Sequence, residues 1–593
     1  MGFFWSSSPS WQDVSAEKRA QRDNLLASAQ PFAPAEHQQY LDATATEIVQ
    51  HIQKGEWTAS VVLEAYIARA AQAQAQTNCL TEVFFEQARE DARRLDAHFA
   101  DTGTLVGPLH GVPMSVKDQF NVRGVDSTIG FTRWAHRPAD ADASLVAQLR
   151  AAGAVPLAKT NVPQTMLAFE CANPLWGRTL NPWSAAHTAG GSSGGEAALL
   201  ALDGAALGIG SDVGGSLRIP SAYCGVYALK PGHGRVATEG SVGPLPGFEA
   251  VRAVAGPMGR SVADLELFLR VTMGARAEGD VGYFPAPVPY RDVQLPPTLK
   301  FAYYTFDGIV QASPACERAV RETVAALRKA GHECVEIELP TRAAERGLQI
   351  FTAITSADGY EKLLSHLGPD PKESALFLVT LGPKLPGFVR RLADWAVRTF
   401  FGDEIFGGML LYSHRKSVRE YYDWTAEKLA FEREWRSKIW GENDFDAIIA
   451  PTQAVPAVPH GGCDRLAPLA NATLLYNIVD SPVGALPVTR VDPARDALTP
   501  AWFAGRHGSR VLEAEIFGKD LADAQRGGKA YDVQKMQGLP VGVQVVGRLW
   551  EEEKVVAVMR VVDEALGERG FGPGMWRGEE EKEEGGDGAG VSG

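Results

Sequence analysis

The stretch from Thr188 to Pro220 reads TAGGSSGGEAALLALDGAALGIGSDVGGSLRIP, and it presents two serines, Ser192 and Ser216, each preceded by two glycines. A serine hydroxyl attacks a carbonyl only when a base removes its proton and donors receive the oxyanion that develops. Gly214 and Gly215 let successive backbone N–H groups turn inward as a concave nest before Ser216, so the layout suits acyl transfer. Tight turns, with serines chosen for turn propensity, account for one such cluster equally well. Two phosphate readings fail. Glu196 stands where a phosphate loop needs lysine, and Gly208, Gly210 and Gly214 carry one residue too many for a dinucleotide fingerprint. Gly191-Ser192-Ser193-Gly194-Gly195 does satisfy G-x-S-x-G, which would make Ser193 the nucleophile of an α/β-hydrolase. That fold needs a strand leading directly into the serine, whereas Asn181-Pro182-Trp183-Ser184 reads as loop.

On either side of this stretch, short apolar runs bounded by Gly and Pro (Val112–Val116, Val155–Ala158, Ala205–Ile209 and Val541–Val546) alternate with helix-like stretches such as Ala143–Ala152 and Val262–Leu269. The alternation predicts an α/β fold, a sheet covered by helices. Upstream, apolar residues recur at helical spacing over Ser15–Leu26 and Thr44–Ile52, and a third helix opens near Thr58. The proline-rich region Pro285–Leu299 reads as a surface connection before a strand resumes at Phe301. We expect an N-terminal helical extension over residues 1–40, a catalytic domain over 41–577 and a tail over 578–593 too polar to offset the cost of ordering.

The 593 residues are 45% hydrophobic and 22% charged, which excludes a fibrous or wholly disordered chain. Of the net charge of −14, five units lie between Glu579 and Asp587, and the remainder gives no basic surface for nucleic acid. Six scattered cysteines show no C-x-x-C pair and no metal-ligand spacing, and read as reduced core thiols. The N-terminus lacks a signal-peptide pattern and no run of about 18 apolar residues is free of charge. A cytoplasmic protein is expected, with no metal and no cofactor.

Several spaced motifs then fall in one order: Gly107-Pro108-Leu109-His110-Gly111-Val112-Pro113, Ser115-Val116-Lys117-Asp118, the paired serine clusters, Tyr227-Ala228-Leu229-Lys230-Pro231, and Leu539-Pro540-Val541-Gly542-Val543-Gln544. In these the chain resembles the amidase signature family of serine hydrolases, from about residue 40 to 570. The resemblance implies a large twisted mixed β-sheet core covered by α-helices and a Ser-Ser-Lys triad: Ser216 the acylated nucleophile, Ser192 the bridging serine, Lys117 the base. It also implies an oxyanion hole from the N–H groups of Val213, Gly214, Gly215 and Ser216, and a cis peptide between Gly191 and Ser192. Lysine can serve as a base only if burial lowers its pKa from about 10.4. Strand alternation turns the adjacent Asp118 to the opposite face, where it would not hold the ammonium charged. His110, His187, Asp212 and Arg218 are read as scaffold.

Around Ala168–Thr179 and Arg218–Gly225 the text resembles fungal acetamidases and fatty-acid amide hydrolases, and Ile219 departs from the glutamine typical of the glutaminyl-tRNA amidotransferase subunit. The implied substrates are small to medium carboxamides, aliphatic or aryl, cleaved through an acyl-enzyme to carboxylate and ammonia or amine. A secondary-metabolite tailoring amide or ester hydrolase and a noncatalytic binding member are the alternatives. Met166, Leu167 and Ser192 are the expected substrate contacts. Lys384–Thr399 carries Leu385, Phe388, Val389, Leu392, Trp395 and Ala396 on one helical face, either a lid over the site or an interfacial membrane helix. Dimers occur in the family, so a homodimer is a further expectation.

Overall fold

The apolar runs bounded by Gly and Pro are too short for helices and too apolar for loops, so they pair laterally. The computed structural model describes residues 9–275, 285–505 and 507–576. Among these, eleven strands form one sheet: β1 (Leu80–Val83), β2 (Pro113–Lys117), β3 (Val155–Thr160), β4 (Leu207–Asp212), β5 (Tyr227–Lys230), β6 (Val254–Gly259), β7 (Lys300–Tyr303), β8 (Glu333–Glu336), β9 (Ala447–Pro451), β10 (Val483–Arg490) and β11 (Pro540–Val546). Their spatial order is β1-β3-β2-β4-β6-β5-β10-β11-β9-β7-β8. β3, β2 and β4 run parallel, as do β9, β7 and β8, and the pairings between β4 and β9 are antiparallel. This is the mixed sheet under helices that the resemblance implied, with strand boundaries displaced by at most three residues.

Parallel pairing of β2 with β4, Val116 opposite Ile209, delivers the carboxyl ends of both strands to the same edge of the sheet. Ligand sites of α/β sheets lie at such edges, where loops leave the strands. The helix Gly194–Ala201 packs on β2, β3, β4 and β6, which brings the chain entering it to that edge as well. The approach is close. A Cβ on Gly195 would lie 2.3 Å from the Asn161 backbone nitrogen and 2.6 Å from the Cys79 carbonyl oxygen.

The N-terminal helices run Trp11–Leu26, Ala45–Gln53 and Ala59–Thr77, and a further one, Pro34–Leu41, starts on a proline that suits a first helical turn. The first of them docks by charge, against the apolar spacing read in it. Lys18 Nζ pairs with Glu82 at 2.6 Å and Asp126 at 2.9 Å. Arg19 donates to the carbonyls of Leu175 and Pro174 at 2.7 and 2.8 Å, and Arg22 to that of Leu80 at 3.0 Å. Its partner surface is a polar strand end and a loop, so cations that satisfy carboxylates and carbonyls bind it better than leucines would.

All six cysteines are buried and unpaired. Among the described residues no helix is long and apolar enough to cross a membrane. The expected tail, 578–593, lies outside the described residues. Gly195→Ala is expected to lower stability in urea denaturation by about 3 kcal/mol, since a methyl group there meets backbone on two sides. A loss under about 0.5 kcal/mol would show that the helix can lift off the sheet without cost.

Candidate active site

Lys117 ends β2 and is fully buried. Its Nζ lies 2.7 Å from Ser192 Oγ and 2.8 Å from Ser211 Oγ. Burial pushes the amine down to about 7, against an opposing pull from Asp212. Ser115, two residues earlier on the same face of β2, donates to the buried Glu196 carboxylate, which also accepts from Thr160 Oγ1 at 2.6 Å. Burial raises Glu196 to about 7. Asp118 turns to the other face, as alternation requires. It accepts from Thr81 Oγ1 at 2.9 Å and from the Thr128 and Ile129 N–H groups at 3.0 and 2.6 Å.

Ser216 follows β4 across the turn Val213–Gly215. Gly215 adopts φ +128°, and a Cβ there would fall 2.1 Å from Thr473 Oγ1, so the turn requires glycine. Asp212 organises it. Its carboxylate accepts from the Gly215 N–H at 2.7 Å, the Leu217 N–H at 3.1 Å, Arg218 Nε and Nη2 at 3.0 Å, and Asn477 Nδ2 at 2.8 Å. Burial alone would raise the Asp212 carboxyl, but the Arg218 guanidinium holds it well below the usual range. Arg218 also donates to the Thr473 carbonyl at 2.8 Å and Asn477 Oδ1 at 2.7 Å. The scaffold role read for both residues agrees with these bonds. The Gly191–Ser192 peptide is cis.

A cleft with about 1170 Å³ of empty space, its open mouth included, is lined by Met166, Leu167, Gly191, Val213, Gly214 and Ser216, with apolar side chains beyond them. Met166 and Leu167 therefore stand on its wall. Ser192, also expected against substrate, is buried next to Gly191 and off that wall, and Gly215 spends its N–H on Asp212. Ser193 is fully buried, its hydroxyl 3.4 Å from the Ser211 carbonyl. The residues before it form a small β-hairpin, Leu180–Asn181 with Ser184–Thr188, where the sequence reads as loop. That hairpin stands apart from the central sheet, so it supplies no strand-to-serine elbow. His110 accepts from the Val106 N–H at 3.0 Å, and His187, pushed down to about 4 by burial, pairs with Ser184 Oγ at 2.8 Å. Neither lines the cleft.

Sequence reading assigns no role to Ser211, Gln119 or Glu196. Ser211 Oγ donates to Gln119 Oε1 at 2.5 Å while accepting from Lys117. The one signal for the pair is position: Gln119 lies two residues past Lys117, and Ser211 one before Asp212. The cleft's far wall was also missed. It comes from residues 348–413, far from the glycine-rich stretch, and its signal is apolar residues at helical spacing in the helices Ala343–Thr355 and Glu404–Tyr412. The 384–399 stretch forms the helix Gly387–Ala396 and contributes no side chain to the cleft beyond it. Phe388, Leu392 and Trp395 are 66%, 59% and 54% exposed, facing solvent and not covering the site.

Residues 61–556 match the protein family described as Amidase. The chain is 35% identical to "Amidase 1" of Gibberella moniliformis, covering 94% of this chain and 99% of that protein. It is 31% identical to an "Acetamidase" of Aspergillus oryzae, again over 94% and 99%. Among solved structures it superposes on a "Fatty acid amide hydrolase" with a TM-score of 0.78 at 27% identity, covering 95% of this chain and 91% of that one.

Arg218→Met strips a buried carboxylate of its counter-charge. Chemical denaturation is expected to register a loss of about 3 to 5 kcal/mol. A variant as stable as its parent would show that Asn477 and the backbone amides suffice for Asp212.

Proposed function

The chain belongs to the amidase family and is a hydrolase acting on amides, and on that premise we propose that it cleaves small to medium aliphatic or aryl carboxamides through a Ser216 acyl-enzyme. The observation that carries this reading is the 2.7 Å contact between a buried, weakly basic Lys117 amine and Ser192 Oγ, beside a cleft that Ser216 lines. Neutral Lys117 takes the proton of Ser192, and Ser192 takes that of Ser216 as Ser216 Oγ bonds to the amide carbon. Collapse of the tetrahedral adduct breaks the C–N bond, and the leaving nitrogen receives a proton from Ser192, which Lys117 refills. Water then attacks the ester, and the same groups run in reverse. The oxyanion would be received by the N–H groups of Val213, Gly214 and Ser216, since that of Gly215 is engaged by Asp212.

The Ser211–Gln119 pair supports the polarity of this relay. With its proton given to Gln119, Ser211 Oγ can only accept from Lys117, which pins one N–H of the amine and leaves its lone pair for the Ser192 proton.

Ser216→Ala is expected to cut amide turnover by about 10⁴-fold or more and abolish fluorophosphonate labelling, whereas Ser193→Ala keeps the label. Labelling of Ser216→Ala that is lost in Ser193→Ala would overturn the assignment. Because the base must be neutral, kcat/KM rises with pH up to about 7 and falls about tenfold per unit below it. A flat profile between pH 5 and 8 would remove Lys117 as the base.

A further inference from the structure

Three segments meet the cleft at the helical spacing i, i+3, i+4, i+7, and the last member of each is Thr355, Gly382 or Ser413. Those ends converge. A Cβ on Gly382 would lie 2.5 Å from the Ser413 side chain, and Tyr360, which also lines the cleft, holds its hydroxyl 3.5 Å from Thr355 Oγ1. Hydroxyls thus gather in one corner of an otherwise apolar wall.

Their protons are not all spoken for. Thr355 gives its own to the Phe351 carbonyl at 2.7 Å, so its oxygen only accepts. Tyr360 is 2% exposed and held with φ +62°, an uncommon backbone for so large a residue, with its N–H on Asp358 Oδ1 at 2.8 Å. Ser413 is 7% exposed, and its hydroxyl has no hydrogen-bond partner among the described residues. The Ser413 side chain instead bears on the Tyr360 phenol, lowering a pKa that burial raises to about 12. A buried hydroxyl left unpaired is costly, and here it borders the space a substrate would fill.

We propose that Ser413 and Tyr360 form a subsite for a neutral hydroxyl, alcohol or phenol, carried by the amide substrate away from its scissile bond. Among the described residues no charged side chain lines the cleft, so a carboxylate or ammonium there would lack a counter-charge on its wall. A hydroxyl both donates and accepts, which matches a corner holding a free serine O–H and the oxygens of a tyrosine and a threonine. The apolar walls between take the hydrocarbon that joins the two ends. This deepens the amidase reading of the same cleft and rests on it.

The test compares ω-hydroxyalkanamides with n-alkanamides of equal length, and hydroxyphenyl with phenyl alkanamides, over a graded series of spacers. At the matching length the parent enzyme is expected to favour the hydroxylated partner by about tenfold in kcat/KM. Ser413→Ala and Tyr360→Phe each bring that ratio towards one. The same pairs are titrated calorimetrically into Ser216→Ala protein, where the preference appears in affinity without turnover. No preference at any length in either assay, or a preference that survives both variants, overturns the subsite. Failure of all amides to turn over, with hydroxylated ligands still bound selectively, would instead sink the catalytic reading and leave the subsite standing.

Discussion

A lysine amine kept from water between two serine hydroxyls is the constraint to which the surrounding structure answers. Burial favours the neutral amine only while no uncompensated anion faces it. Asp118, next in sequence, is turned to the other face of β2 and given to threonine hydroxyls and backbone amides. Asp212 is close enough to pull the lysine pKa upward, yet its charge is shared with Arg218 and Asn477. The same carboxylate ties down the turn that carries Ser216. One ion pair therefore serves two ends, shaping the Ser216 turn and muting a charge that would keep Lys117 protonated.

The division of labour across the chain follows from rigidity. Lys117, Asp212 and the helix Gly194–Ala201 belong to paired strands and a helix seated on them, where positions are set by backbone hydrogen bonds and close glycine contacts. The far wall of the cleft comes from helices that sit outside the sheet, between β8 and β9. The Lys117–Ser192 contact thus rests on the stiffest part of the fold, and the shape of the cleft on a part whose side chains can change without disturbing the sheet.

Not all of the wall is inert filling. Ser413 ends one of the three helically spaced segments, whose other cleft-facing members are largely apolar, and Tyr360 lines the cleft beside it, so a polar group there has consequence for what the cleft accepts. The helix Gly387–Ala396 lies between two of these segments in sequence, and its aromatic face points to solvent. Helical periodicity identifies such a face and says nothing of what it meets. Trp11–Leu26 teaches the same lesson in reverse, since its buried side is Ser15, Lys18 and Arg22.

Strand and helix positions were legible because burial marks the residues themselves, as a short run bounded by turn residues in the fully buried Val155–Thr160 and as helical spacing in Val262–Thr272. The two glycine–serine clusters were legible for a related reason: a turn with φ near +128° at Gly215 and a helix start pressed on backbone at Gly195 tolerate no side chain. What the sequence could not contain is the company these residues keep. The Gln119 contact with Ser211 spans 92 residues, and Tyr360, Gly382 and Ser413 share one corner only because three separate segments pack together. Local order is written by short-range sterics and hydrophobic period, so the chain by itself determined most of its elements and its glycine–serine turns. The environment of the amine and the walls of the cleft depend on contacts between distant segments, and only packing in three dimensions decided those.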